Sequence, residues 1–203
     1  MTAGQPAVSS LPANELPTYQ AARRQRIVDA AWAMLERQPY EQIQIRDVAA
    51  TAGVALGTLY RYFSSKEHLY AAVLLEWSSG FEGRTRSRAA ADDPMSRLEV
   101  KTRSALTAFE KRPQFFRVLV LLLGSADPNA KVLMDGLRQA QESTVLADLR
   151  ELDPDAAEDY SVLVWGAINH LLTRSIFHEA PMAEAYRIND RLMELLRARL
   201  APG

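Results

Sequence analysis

The fold of this chain is decided by one stretch, residues 46–63, which reads Arg-Asp-Val-Ala-Ala-Thr-Ala-Gly-Val-Ala-Leu-Gly-Thr-Leu-Tyr-Arg-Tyr-Phe. The alanines that precede Gly53 are small enough for a second helix to cross the first closely. Gly53 itself tolerates the positive φ that a tight turn between helices requires. Val54 and Leu59 supply apolar anchors behind the turn. The stretch therefore predicts a helix-turn-helix, with the motif spanning about residues 44–63.

Helical periodicity continues on both sides of this motif. A first helix is predicted over about Tyr19–Gln38, and a compact helix over Ala55–Tyr62 completes the motif. Ser64 followed by Glu67 forms a capping-box pattern that predicts the start of a long fourth helix. The predicted buried faces comprise Ile27, Ala30, Ala31, Met34 and Leu35 in the first helix, Ile45, Val48 and Ala49 in the second, and Leu69, Tyr70, Val73, Leu74, Trp77 and Phe81 in the fourth.

Further helix starts are marked by three Asp-Pro steps, at residues 93–94, 127–128 and 153–154. The aspartate accepts hydrogen bonds from the free N–H groups of the first turn, and proline at the next position loses no hydrogen bond there. Pro113 and Pro181 mark two more starts. Glycine is scarce and no run of alternating β-branched residues occurs, so strands are not expected. The predicted fold is all-α, with about nine helices.

Composition narrows the class of protein. The chain has 203 residues and no cysteine, which excludes disulfides and thiolate metal sites and fits a cytoplasmic protein. No apolar run reaches the ~20 residues that cross a bilayer, so no membrane partner is expected. Residues 1–18 are rich in Pro, Ala and Ser and are predicted to be a disordered arm. Residues 19–90 carry ten basic and seven acidic side chains, whereas residues from 91 onward carry fourteen and seventeen. This asymmetry suits nucleic-acid binding by one end of the molecule.

Residues 53–69 read Gly-Val-Ala-Leu-Gly-Thr-Leu-Tyr-Arg-Tyr-Phe-Ser-Ser-Lys-Glu-His-Leu. This run resembles the signature of the TetR (tetracycline-repressor) family, and the resemblance is strong from about Arg23 to Trp77. The resemblance implies a DNA-binding domain over residues 19–66 and an effector-binding and dimerisation domain over residues 67–203. It also implies a sequence-specific transcription regulator, most often a repressor. Within that family, the run Gly-Thr-Leu-Tyr-Arg-Tyr-Phe at residues 57–63 and the preceding Ile-Arg-Asp-Val-Ala at residues 45–49 are similar to the KstR-like repressors of sterol and lipid catabolism.

The resemblance assigns DNA contacts position by position. Thr58 and Tyr60 match positions that contact bases and the DNA backbone, and Tyr62 and Lys66 match phosphate-contacting positions. Gln44 stands where the family usually has Thr or Ser as N-cap, and its role is open. Arg61 is either a DNA contact or a solvated charge, and Phe63 is expected in the core. The predicted DNA-binding set is Gln44, Arg46, Leu56, Gly57, Thr58, Tyr60, Arg61, Tyr62 and Lys66.

Arg23, Arg24 and Arg26 lie at the N-terminus of the first helix, where positive charge is unfavourable because of the helix dipole. A nearby DNA phosphate would make the same charges favourable, so these arginines are candidates for contact with the minor groove or the DNA backbone. A solvated cluster explains them equally well.

The same resemblance implies two roles for the C-terminal part. The last two long helices are expected to form a homodimer, with Gly166 permitting close helix approach. Their apolar stripes comprise Val162, Leu163, Trp165, Gly166, Ile168 and Leu172 in one helix and Ile188, Leu192, Leu195 and Leu196 in the other. Few polar groups accompany the bulky apolar residues, so a small apolar effector is expected. Its predicted pocket comprises Trp77, Phe81, Phe109, Phe115, Phe116, Leu119, Met134, Trp165 and Asn169.

Two other classes of protein are alternatives to a regulator. An enzyme is disfavoured because the three histidines show no metal-ligand spacing and neither a phosphate-cradling glycine loop nor a nucleophile elbow is present. No cofactor and no metal are expected. The remaining alternative is a helical dimeric adaptor or ligand-binding protein without DNA binding, which would show no salt-dependent DNA affinity.

Overall fold

The computed structural model describes residues 17–88 and 93–200, apart from the side chains of residues 80–88. Within this part of the chain the structure contains nine α-helices and no strand, which confirms the all-α prediction. A short 3₁₀ turn, Tyr40–Gln42, lies between the first two helices. The helices are α1 (Thr18–Leu35), α2 (Ile45–Thr51), α3 (Leu56–Tyr62), α4 (Lys66–Arg88), α5 (Pro94–Lys111), α6 (Pro113–Leu122), α7 (Pro128–Leu152), α8 (Ala157–Phe177) and α9 (Met182–Leu200).

The helices divide into two compact units. One is drawn from Met1–Trp77 with Val118–Asp135, and the other from Ser78–Arg117 with Gly136–Gly203. The first unit therefore combines α1, α2, α3 and the start of α4 with the end of α6 and the start of α7. The predicted domain boundary after residue 66 stays a prediction.

The core of the first unit is built by the predicted faces of α1 and α4. Ile27 and Leu35 of α1 and Leu69 and Val73 of α4 are fully buried. The Tyr70 hydroxyl also donates a hydrogen bond of 3.3 Å to the carbonyl of Ala31 on α1. Each fully buried aliphatic side chain contributes about 1.5–3 kcal/mol. Helix α2 packs against α1 and α3 packs against α2 on this base.

The core of the second unit joins four helices. Its buried residues are Met95 and Leu98 of α5, Val145 and Leu149 of α7, Ala157 and Val164 of α8, and Met193, Leu196 and Leu200 of α9. Asp148 of α7 is buried beside this core and pairs with two cations of α5. Its carboxylate accepts a hydrogen bond of 2.8 Å from Arg97 and another from Lys101. This pairing satisfies a charge that would be costly to bury alone.

Two of the three Asp-Pro steps begin helices as predicted. Asp93 accepts hydrogen bonds from the N–H groups of Met95 and Ser96 at the start of α5. Asp127 does the same for Asn129 and Ala130 at the start of α7. The prediction for Asp153 was wrong: a turn over residues 154–156 follows it, and α8 begins only at Ala157.

The predicted cap of α4 was wrong by one residue. The helix begins at Lys66, and the Ser65 hydroxyl, not that of Ser64, accepts the N–H of the third helical residue, His68. The reason lies in the neighbours of Ser64, whose N–H donates to the His68 ring and whose hydroxyl donates to Asp127. Helix α1 also ends at Leu35, three residues before the predicted Gln38.

In the described residues no helix is both long and apolar enough to cross a membrane. The same residues contain no group of His, Asp and Glu side chains that could hold a metal ion.

Candidate nucleic-acid interface

The turn between α2 and α3 is made by Gly53, which adopts φ +66°. In this left-handed region a side chain costs energy, because its Cβ approaches the carbonyl oxygen. The Val54 N–H donates to the carbonyl of Ala49 at 3.0 Å and closes the turn. Leu59 is fully buried and anchors α3. The sequence-based prediction of a positive-φ glycine between two packed helices is confirmed.

The outer face of α3 is left uncovered. Leu56 and Tyr60, one helical turn apart, keep 43% and 48% of their surface exposed. Gly57 and Arg61 are exposed on the same helix, and Thr58 is half-buried. A Cβ added at Gly57 would meet nothing within 4 Å, so packing in this chain does not require glycine there. Six of the nine predicted DNA-binding residues therefore lie on this one short helix, and of these six only Tyr62 is buried.

Helix α2 adds two polar residues close to its start. Gln44 occupies the N-cap position, but its side chain makes no capping hydrogen bond and is exposed. The Arg46 side chain is 72% exposed, and its Nε lies 3.5 Å from the Asp47 carboxylate. An exposed ion pair this long contributes little. Arg46 can therefore leave it for a stronger acceptor.

Tyr62 and Lys66 are placed differently from the other predicted contacts. Tyr62 retains only 6% of its surface, so most of its ring belongs to the core. The Lys66 ammonium donates a hydrogen bond of 2.5 Å to the carbonyl of Tyr40 and lies 4.0 Å from the centre of the Tyr40 ring. Burial lowers the pKa of Lys66, against the opposing effect of Glu41 and Glu67. Lys66 thus joins α4 to the 3₁₀ turn, and phosphate contact by these two residues stays a prediction.

The arginines of α1 do not act as one cluster. Arg24 lies over the Phe63 ring, 5.1 Å from its centre, and burial lowers its pKa against the opposing charge of Glu76. Phe63 is fully buried, as its expected core position requires. Arg26 is exposed and Arg23 half-buried. Sequence reasoning missed the pairing of Arg24 with Phe63, because nothing in the sequence relates two residues so far apart.

The predicted effector-pocket residues are distributed over both units. Trp77, Leu119 and Met134 are buried in the first unit, and Phe109, Phe115 and Phe116 are buried in the second. Trp165 is half-buried, with its indole N–H donating to Gln141, whereas Asn169 is exposed. Phe81 lies outside the residues whose side chains are described.

Within the second unit the structure groups three aromatic rings. The rings of Phe109 and Phe116 meet edge to face at 5.2 Å between centres, and Phe177 lies 6.2 Å from Phe116. Phe177 was missed by sequence reasoning, as were two buried polar atoms, Ser161 Oγ and Asn189 Oδ1, which have no hydrogen-bond partner. Ser161 and Asn189 are polar residues within the apolar stripes of α8 and α9, and this pattern in the sequence could have indicated them.

Several large apolar side chains of α8 and α9 are exposed. Val162 and Leu163 of α8 and Leu195 of α9 are exposed, on two helices that pack against each other. A Cβ at Gly166 of α8 would meet nothing within 4 Å. Only part of the predicted stripes is therefore available to a second copy of the chain, because Ile168, Leu172 and Leu196 are buried within the chain itself.

The described residues form only helices, and the second helix of the helix-turn-helix, α3, is uncovered. These two features define the class of helix-turn-helix proteins. The model of the family described as "Bacterial regulatory proteins, tetR family" matches residues 27–73. The HTH-type transcriptional repressor KstR of Mycobacterium tuberculosis is 35% identical over 125 residues, which make up 61% of this chain and 57% of that repressor. KstR of Mycolicibacterium smegmatis is 32% identical over 136 residues, or 66% of this chain and 67% of the repressor.

The chain belongs to the TetR family of bacterial regulatory proteins, in its KstR-like subgroup. This confirms the family and subgroup that the sequence predicted. The fold is shared with FadR from Bacillus subtilis, a transcriptional regulator solved in complex with stearoyl-CoA. The TM-score is 0.68 at 19% identity, and the match covers 85% of this chain and 96% of FadR.

The two glycines of the motif predict opposite effects of the same substitution. Gly53→Ala is expected to lower the free energy of unfolding by about 1–2 kcal/mol, because alanine is strained at positive φ. Gly57→Ala should raise it by about 0.5 kcal/mol, because alanine favours helix and the space is open. Gly136→Ala, also in a helix with open space around it, is the matched control and should be stabilising. Urea denaturation measures all three, and a destabilising Gly57→Ala would show that the position serves packing.

Proposed function

We propose that this protein is a sequence-specific DNA-binding repressor that acts in the cytoplasm as a homodimer and is released from its operator by a small apolar effector. The observation that carries the proposal is the uncovered face of α3, where Leu56, Gly57 and Tyr60 are exposed. Packing within this chain does not explain the glycine at position 57, since a Cβ there would meet nothing within 4 Å. Both relatives described above are named as repressors, and this chain spans 57% and 67% of their lengths.

DNA reading follows from the chemistry of this face. A seven-residue helix fits into the major groove with its first turns toward the base edges. The Thr58 side chain can offer its methyl group to a thymine or its hydroxyl to a base edge. Gly57 leaves room for the groove floor to approach the backbone. Arg46 can donate two hydrogen bonds to a guanine, and the unused Gln44 side chain can reach a phosphate.

The effector part of the proposal rests on the second unit. Phe109, Phe116 and Phe177 bring three rings together there, and the two unpaired polar atoms of Ser161 and Asn189 would gain hydrogen bonds from a bound molecule. The ligand named for FadR, stearoyl-CoA, carries a long apolar chain. Release of bound DNA on adding an acyl-CoA is the readout that supports an apolar effector.

The dimer part of the proposal rests on the exposed apolar residues of α8 and α9. Val162, Leu163 and Leu195 would be covered by a second copy of the same helices. Gly166 lies on the same helix as Val162 and Leu163 and would allow the two copies of α8 to approach closely. Two copies would present two α3 helices to successive major grooves, ~34 Å apart.

Arg46→Ala and Tyr60→Ala are each expected to weaken binding to operator DNA about 10- to 100-fold, the loss that one direct base contact typically carries. Stability should stay within about 0.5 kcal/mol, because both side chains are exposed. Arg191→Ala is the matched control for Arg46, being 74% exposed and paired with Glu194 on its own helix.

These affinities are measured by fluorescence anisotropy over a salt series, on DNA selected by the purified protein from a random pool. Arg46→Ala should lower the affinity and Arg191→Ala should leave it unchanged. Equal affinity of wild type, Arg46→Ala and Tyr60→Ala would contradict the docking of α2 and α3, and the absence of any salt-dependent binding would favour the adaptor alternative.

Leu163→Glu is expected to convert the dimer to a monomer, because it places a charge in the proposed interface. Val132→Glu is the matched control, since Val132 is an equally exposed apolar residue in the other unit. Sedimentation velocity at micromolar concentration measures the mass. The proposed interface predicts a monomer for Leu163→Glu and a dimer for the wild type and Val132→Glu. A dimer for Leu163→Glu would place the interface elsewhere.

A further inference from the structure

The junction between α3 and α4 is hydrogen bonded to the start of α7, within the first unit. The Ser64 hydroxyl donates to Asp127 Oδ2 at 2.8 Å, across 63 positions of sequence. It also accepts a hydrogen bond of 2.9 Å from the Asn129 side chain. The other oxygen of Asp127 accepts the N–H groups of Asn129 and Ala130 and caps α7. The Asp127 carboxylate therefore caps α7 and also binds Ser64, which lies two residues after the end of α3.

His68 completes this arrangement from the first turn of α4. Its Nδ1 accepts a hydrogen bond of 3.1 Å from the Ser64 N–H and lies 3.2 Å from the Ser64 hydroxyl. A backbone N–H can only donate, so Nδ1 must carry a lone pair and the ring must be neutral. The ring is buried and packs edge to face on Phe63, 5.3 Å between centres. The chain between α3 and α4 is thus held by a ring that loses its acceptor when protonated.

We propose that Ser64, His68 and Asp127 form a latch that holds α3 in its DNA-reading position, so that the start of α7 controls DNA affinity. The proposal rests on the proposed DNA-binding function. None of the three residues needs to touch DNA, and they act as positioning residues through the α3–α4 junction. Helix α7 begins at this latch and continues into the second unit, where Val145 and Leu149 are part of the core. A displacement of α7 would therefore be transmitted to Ser64 through a single helix and its capping residue, Asp127.

The latch has a defined dependence on pH. Burial lowers the pKa of His68 from its ordinary value of 6.5, with Asp127 opposing this shift and Arg24 adding to it. Those two charged groups face the ring from the start of α7 and from α1. Because the neutral ring is the latched form and its pKa is lowered, the latch is complete above pH 6.5 and weakens as the pH falls below that value.

The decisive variant is Ser64→Ala, because it removes the hydroxyl and leaves in place the backbone N–H that donates to His68. Its matched control is Ser96→Ala, since the Ser96 hydroxyl donates to the capping carboxylate of Asp93 at 2.7 Å in the same Asp-Pro setting at α5. Each loses one hydrogen bond to a helix-capping aspartate, and Ser64→Ala also loses the hydrogen bond that Asn129 donates to the Ser64 hydroxyl. Ser64→Ala is expected to bind selected DNA at pH 8 about tenfold more weakly, the typical effect of a lost hydrogen bond to a charged group, and Ser96→Ala as tightly as wild type.

A role in stability alone predicts a different result: similar losses of stability in both variants and unchanged DNA affinity in both. Unchanged affinity of Ser64→Ala would therefore overturn the latch. Failure of the wild type itself to bind any DNA at pH 8 would instead overturn the proposed function, and the latch with it.

His68→Asn supplies a second, independent readout. The asparagine amide oxygen can accept the Ser64 N–H in place of Nδ1 and does not titrate. Wild-type affinity is expected to fall as the pH is lowered below 6.5, whereas His68→Asn should bind with little change over the same pH range. Identical pH profiles for the two proteins, each shown to be folded by circular dichroism, would overturn the role assigned to His68.

Discussion

The α2–α3 turn is the constraint on which the rest of the structure depends. Gly53 at φ +66° reverses the chain in a few residues, so that Leu59 reaches the core while the opposite side of α3 stays open. A residue with a side chain at this position would strain the turn. Leu56 and Tyr60 are exposed because the turn orients α3 in this way. A helix that enters the major groove of DNA must have such an exposed face.

Capping carboxylates organise the helices beyond this motif. Asp93 and Asp127 each satisfy two N–H groups at the start of a long helix, α5 and α7. Asp127 also binds Ser64, so one side chain both begins α7 and holds the junction that follows α3. The second unit also contains polar contacts between distant segments, with Asp148 satisfied by Arg97 and Lys101 and with Arg103 paired to Asp190. In the first unit the hydrogen bond between Ser64 and Asp127 thus joins two segments that are distant in sequence.

Much of the fold, including the turn and the exposed helix that carries most of the candidate DNA-binding residues, could be predicted because its signals are local. Helical periodicity located α1 and α4, and a glycine between two apolar anchors located the turn. The cap of α4 could not be placed correctly, because Ser64 and Ser65 are equivalent in sequence and only Asp127, far along the chain, distinguishes them. For the same reason nothing local indicated that Lys66 binds the Tyr40 carbonyl or that Tyr62 is mostly buried. Aromatic residues in the second unit have the same spacing whether they fill a core or surround a ligand, so their spacing could not identify an effector site.

The central claim is that the exposed face of α3 lies in the major groove of operator DNA, and a DNA-cleaving group attached there tests it most directly. The chain contains no cysteine, so Ala55→Cys, at the exposed start of α3, can carry a single iron chelate. Val132→Cys, exposed in the same unit, is the control. We expect Ala55→Cys to cut selected DNA at two positions ~34 Å apart, each within one major groove, and Val132→Cys to leave those positions uncut. Absent or evenly spread cleavage from Ala55→Cys would contradict this account.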